Sequence, residues 1–126
     1  MTKPLAKPYG ARVKALMAEK SRLLSKAKAF SDMGLDETAG PIWLSAASYE
    51  ERIAPLLDVI GREAEAALHR VSAAGCYAKS GDPSRAANLY RAALSGPLSD
   101  LARADVEREL SACLRLLQRD EVGAAV

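Results

Sequence analysis

Apolar residues recur at steps of three and four over five stretches of this chain, and glycine or proline punctuates the stretches. From Ala11 to Met33, the positions Val13, Leu16, Met17, Leu23, Leu24, Ala27 and Phe30 form one stripe. That is the spacing of one face of an α-helix. Arg22, Ser25 and Lys26 fall on the opposite side. Gly34 follows, a residue suited to the left-handed backbone that ends a helix. Asp36 reads as the N-cap of a second helix, with Glu37 in its first turn. This helix carries Ile42, Trp43, Ala46, Ala47 and Ile53. Pro41 lacks an N–H and suits a first helical position, so the regular helix is expected to begin near Gly40 and not near Glu37.

Pro55 is expected to end the second helix, because the residue before a proline avoids helical backbone. It is also expected to open a third helix. Leu57, Ile60, Ala64, Ala67, Leu68, Val71 and Ala78 keep helical spacing up to Ser80, and Gly81 closes the run. Asp82-Pro83 is the clearest helix start, an N-cap acid followed by proline at the first helical position. The fourth helix carries Ala86, Leu89, Tyr90, Ala93 and Leu94 and stops at Gly96-Pro97. Ser99 or Asp100 caps a fifth helix, with Leu101, Val106, Leu110, Cys113, Leu114 and Leu117 on one face.

Five helices joined by short turns predict an all-α fold of antiparallel helical hairpins. Composition agrees. Alanine (25) and leucine (17) far outnumber valine, isoleucine and threonine together (11), and the first two favour helix where the others favour strand. A chain of 126 residues fits one domain. We place that domain at residues 11–120. Residues 1–10, with Pro4, Pro8, Gly10 and two lysines, are expected as a flexible basic tail, and residues 121–126 as a frayed end.

Candidate chemistry is sparse. Cys76 and Cys113 lie among alanine and leucine and read as small buried hydrophobes. His69 and Cys76 share a helix face, but two turns separate them by about 10 Å, beyond hydrogen-bond reach. Glu50 with Glu51, and Glu63 with Glu65, lack the Glu-x-x-His spacing of helical di-metal sites. No HExxH, GxSxG, P-loop or GxGxxG motif occurs. The expectation is a protein that is not an enzyme, with no catalytic residue, cofactor or metal. The chain opens without the apolar run of a signal peptide, and no stretch is long and apolar enough to span a membrane. A soluble cytoplasmic protein is therefore expected.

The net charge is +2, but it is unevenly placed: residues 1–30 carry +7, residues 31–66 carry −6 and the remainder +1. Such asymmetry either steers a charged partner or means that the first helix lies beside the acidic ones. Nucleic-acid binding through the basic first helix is the weakest reading. That segment has few aromatics for stacking and no recognised motif.

The segment from Ala74 to Leu94, AGCYAKSGDPSRAANLYRAAL, resembles a tetratricopeptide repeat, a pair of antiparallel helices of about 34 residues. Ala74 takes the small-residue place of its first helix, Tyr77 the aromatic place and Gly81 the turn. Ala86, Tyr90 and Ala93 take the small, aromatic and small places of its second helix. A fainter copy covers Lys20 to Ile53, with Ala27, Phe30, Gly34, Ala39, Trp43 and Ala46 in the same places. The two turn glycines are 47 residues apart, however, and the extra length falls around Pro55. The chain thus resembles a divergent two-repeat member with a C-terminal capping helix.

The resemblance implies that the first helix of each pair lines a groove for a peptide or helix of a partner protein. Leu24 and Lys28, with Leu68, Val71, Gly75, Ala78 and Lys79, are the implied groove residues. One subgroup of the family clamps a C-terminal carboxylate with Lys, Asn and Arg at these places. Leu24, Val71 and Gly75 stand there instead, so that clamp is not expected. The apolar strip Leu68, Val71, Gly75 and Ala78 is either an open groove or the seat of the chain's own first helix. The expected function is a non-catalytic protein–protein interaction module, an adaptor or scaffold. Self-assembly into a homo-oligomer is the alternative.

Overall fold

The computed structural model describes residues 7–125, which form five helices: α1 (Lys7–Asp32), α2 (Asp36–Val59), α3 (Glu63–Lys79), α4 (Pro83–Leu94) and α5 (Asp100–Ala125). No strand occurs among the described residues. The all-α expectation holds. Each helix packs mainly on its neighbours in the chain: α1 on α2, α2 on α3, α3 on α4 and α4 on α5. Such a series of reversals follows from connections only three to five residues long.

Three of the four turns are built alike. Gly34, Gly61 and Gly81 all adopt positive φ, at 77°, 79° and 91°. After each, the next residue's N–H reaches back to a carbonyl five residues earlier: Leu35 to Phe30, Arg62 to Leu57 and Asp82 to Tyr77, at 2.8–2.9 Å. Each glycine N–H bonds the carbonyl three residues back. This paired pattern closes a helix by satisfying its last carbonyls, and it needs a left-handed residue at the glycine. The fourth connection uses a side chain instead. Arg103 donates from Nη1 to the Leu94 carbonyl at 2.8 Å and from Nη2 to the Gly96 carbonyl at 3.2 Å.

Helix starts divide into expected and unexpected. Asp82 caps α4 by accepting the Arg85 N–H at 3.1 Å, and Ser99 caps α5 by accepting that of Ala102 at 3.1 Å. Asp36 does not cap α2. It is already helical, so α2 begins a turn earlier than the expected start near Gly40, and its carboxylate accepts the Ser31 hydroxyl at 3.1 Å.

Pro55 neither ends α2 nor opens α3. Both Pro41 and Pro55 lie inside α2, which runs unbroken to Val59, and α3 begins at Glu63. Both prolines are exposed, as are Glu37 and Glu51, whose carbonyls lose the N–H four residues on. Water can satisfy those carbonyls, so the helix tolerates the rings. Residues 7–10, expected in the tail, belong to α1, and residues 121–125 belong to α5. Residues 1–6 and 126 lie outside the described residues.

The core forms two clusters. The larger holds Leu23, Ala27, Ala39, Trp43, Ala46, Ala74, Tyr77, Ala86, Tyr90, Val106 and Cys113. Residues from all five helices contribute to it. The smaller joins Val13 and Leu16 of α1 to Ile53, Ala54 and Leu57 of α2 and Ala66 of α3. The alanines at the helix crossings are fully buried, and their small size lets the helix axes approach. Phe30 is only partly buried at the edge of the larger cluster. Leu101 departs from the expected apolar face of α5, being 77% exposed, and Leu114 is also exposed.

Candidate functional site

Both α1 and α3 pack on α2, and a pocket of about 400 Å³ lies between them. The α1 wall is Leu24, Ser25 and Lys28. The α3 wall is Ser72, Gly75, Cys76 and Lys79. Residues at such steps of three and four share one face of a helix. Trp43 of α2 completes the lining. Its side chain is 7% exposed, so most of the ring belongs to the core and only part reaches the pocket. The Lys79 ammonium sits 4.3 Å from the centre of that ring, within range of a cation–π attraction.

Of the implied groove residues, the structure brings four together in this pocket: Leu24, Lys28, Gly75 and Lys79. The other three do not line it. Leu68 is 54% exposed, Ala78 is exposed, and Val71 packs against the larger core cluster. The pocket-lining face of α3 runs through Ser72 and Cys76, one residue along from the expected strip of Leu68, Val71 and Ala78.

No motif or spacing along the chain marks the group next to this pocket. Glu50 of α2 is 1% exposed, the one buried charged side chain among the described residues. Lys20 Nζ of α1 lies 3.4 Å from its Oε1, and His69 Nδ1 of α3 lies 3.2 Å from the same oxygen. One carboxylate thus ties three helices together. Burial pushes the Glu50 carboxyl up. The neighbouring side chains of His69 and Ser72, with the charges of His69 and Lys20, outweigh that and hold it below the ordinary value. Its second oxygen, Oε2, is buried without a hydrogen bond.

Burial, reinforced by the negative charge of Glu50, pushes the Cys76 thiol up to about 11, against the opposing pull of Lys79 and Lys20. At neutral pH it is a thiol, whereas the thiolate is the nucleophilic form. The Nδ1 of His69 faces Glu50, a residue of another helix, and not Cys76. Cys113 is likewise buried and pushed up, by desolvation and the nearby Glu109.

The positive charge of α1 is partly matched within the molecule. Besides Lys20 with Glu50, Arg22 pairs with Glu19, and Lys28 lies 3.9 Å from Asp32. Among the described residues no cluster of three or more His, Cys, Asp or Glu side chains is placed to hold a metal ion. No helix among them is long and apolar enough to cross a membrane. Comparison with protein-family models, with curated proteins and with solved structures finds no match to this chain.

Proposed function

We propose that this chain is a non-catalytic protein-interaction module of tetratricopeptide-like build, which takes a segment of a partner protein in the pocket between α1 and α3. The observation that carries the reading is the pocket itself. It opens between the first helices of two successive hairpins, and its lining combines apolar surface with a few convergent polar groups, as binding sites do. Two features support the repeat-like build. The hairpins α1–α2 and α3–α4 turn at Gly34 and Gly81 with the same hydrogen bonds. Ala27, Ala39 and Ala46 are buried in the first, as Ala74, Ala86 and Ala93 are in the second.

Site-specific photocrosslinking tests this. A crosslinking residue at Ser72, in the pocket, is compared with one at Arg108, on the exposed side of α5. Our reading expects a heterologous adduct from the Ser72 position alone. A product made only of two copies of this chain would favour the homo-oligomer. Equal labelling from both positions, or none, would remove the pocket from the argument.

A further inference from the structure

We infer that the occupant of the α1–α3 pocket is a peptide segment that lays an aliphatic side chain on Leu24 and Trp43 and places a carboxylate between Lys28 and Lys79. This rests on the reading of the pocket as a peptide site and adds the chemistry of the peptide.

Charge is the first reason. The lining contains two cations, one on each wall, and no acid. Glu50, behind the lining, is buried and already faces Lys20 and His69. Lys79 has no carboxylate within ion-pair distance among the described residues, and its ammonium sits on the Trp43 ring. The ring holds its ammonium at the pocket without neutralising it. Lys28 is only loosely engaged. Its Asp32 partner stands 3.9 Å away, and the two side chains are 73% and 69% exposed. Exposed pairs of that kind contribute little and exchange partners readily. A carboxylate arriving between the walls would meet two ammonium groups whose present partners it can replace or leave in place.

Shape is the second reason. Leu24 and the accessible part of Trp43 give the pocket an apolar patch, while Ser25 and Ser72 offer hydroxyls from opposite walls. Gly75 adds no side chain to the α3 wall. The recess beyond Lys79 carries Asp36 and Glu37. An acidic run would be repelled there, so the fit is to a single acidic residue beside an aliphatic one.

The test uses the tryptophan of the pocket, which is the only one in the chain. The intact protein is titrated with a blocked, dye-labelled peptide carrying one leucine and one glutamate in a serine–glycine background. The controls are its glutamine and lysine counterparts and a single-stranded oligonucleotide. Trp43 emission and peptide anisotropy are read together, because Lys79→Gln alone will alter the emission. We expect saturable binding of the glutamate peptide, weakened about fivefold by the glutamine change. A Lys28→Gln/Lys79→Gln variant, confirmed folded by circular dichroism, should remove that preference while Lys26→Gln keeps it. Equal binding of the glutamate and glutamine peptides would overturn the carboxylate inference and leave the pocket standing. Failure of every peptide to bind or to shift Trp43 would overturn both. A response to the oligonucleotide alone would replace the peptide with a phosphate backbone.

Discussion

At the scale of single residues, Glu50 is the costliest choice in the chain. A carboxylate taken out of water must recover its hydration from partners, and Lys20 and His69 supply them from two other helices. Removing one member of such a set leaves the others uncompensated. We expect Glu50→Ala to lower stability by about 3 kcal/mol, as measured by urea denaturation at neutral pH. Glu50→Gln should cost less, about 2 kcal/mol, because it keeps the shape and one acceptor. The sign of the pH dependence follows from the direction of the shift. Glu50 titrates below its ordinary value of 4.5 in the folded chain. Its contribution is therefore complete above the unfolded value and is lost as pH falls through the folded one. The gap between wild type and Glu50→Gln should narrow on acidification below about pH 4. A gap unchanged between pH 7 and pH 3 would mean that the charge contributes nothing. None of this is legible along the sequence, where Glu50 is one of two adjacent acids on a helix. Its partners lie 30 and 19 residues away, and only the packing of α1 and α3 on α2 brings them within reach. The opposite charges of residues 1–30 and 31–66 agree with α1 lying beside α2, but they do not single out the acid that is buried.

At the scale of the element, the turns were the more readable part. Gly34 and Gly81 stand out in the sequence because each follows a complete apolar stripe. Asp82-Pro83 then fixes the next start, and the structure places the cap as expected. The turn between α2 and α3 is not legible in the same way, because Pro55 carries a strong local signal and Gly61 a weak one. An exposed proline deprives the helix of one hydrogen bond, and the carbonyl left over can face water. Tertiary packing of Ile53, Ala54 and Leu57 on either side of Pro55 keeps the helix continuous. The glycines of the chain therefore divide into two classes with opposite predictions. Gly81→Ala forces an L side chain to φ 91° and should lower stability by about 1–2 kcal/mol. Gly75 lies inside α3, and a Cβ there would meet only the Tyr90 hydroxyl, at an ordinary contact distance of 3.9 Å. Gly75→Ala should raise stability by about 0.5–1 kcal/mol through the entropy of the unfolded chain. Thermal melts of the two variants beside the wild type decide the matter, and a Gly81→Ala variant of unchanged midpoint would contradict the turn geometry.

At the scale of the whole molecule, serial packing of each helix on its chain neighbours raises the question of how many units unfold together. A linear array can open in pieces when the interface between neighbours is weak. Here the two core clusters are not separate bodies. Tyr49 packs against both, and α3 places Ala66 in the smaller and Ala74, Cys76 and Tyr77 in the larger. The Glu50 group lies on the same three helices. Damage at one end should therefore be felt at the other. Leu57 is fully buried in the smaller cluster, and Leu57→Ala should cost about 2–4 kcal/mol by transfer and cavity terms. If the chain unfolds as one unit, native-state hydrogen exchange of that variant will show the slowest amides of α4 losing the same free energy as those of α2, although no α4 residue belongs to the smaller cluster. Loss confined to α1, α2 and the start of α3 would instead show that α4 and α5 form a separate unit. In that case the pocket between α1 and α3 would lie within the less stable part, and an occupant bridging those helices would stabilise the chain from that end by linkage.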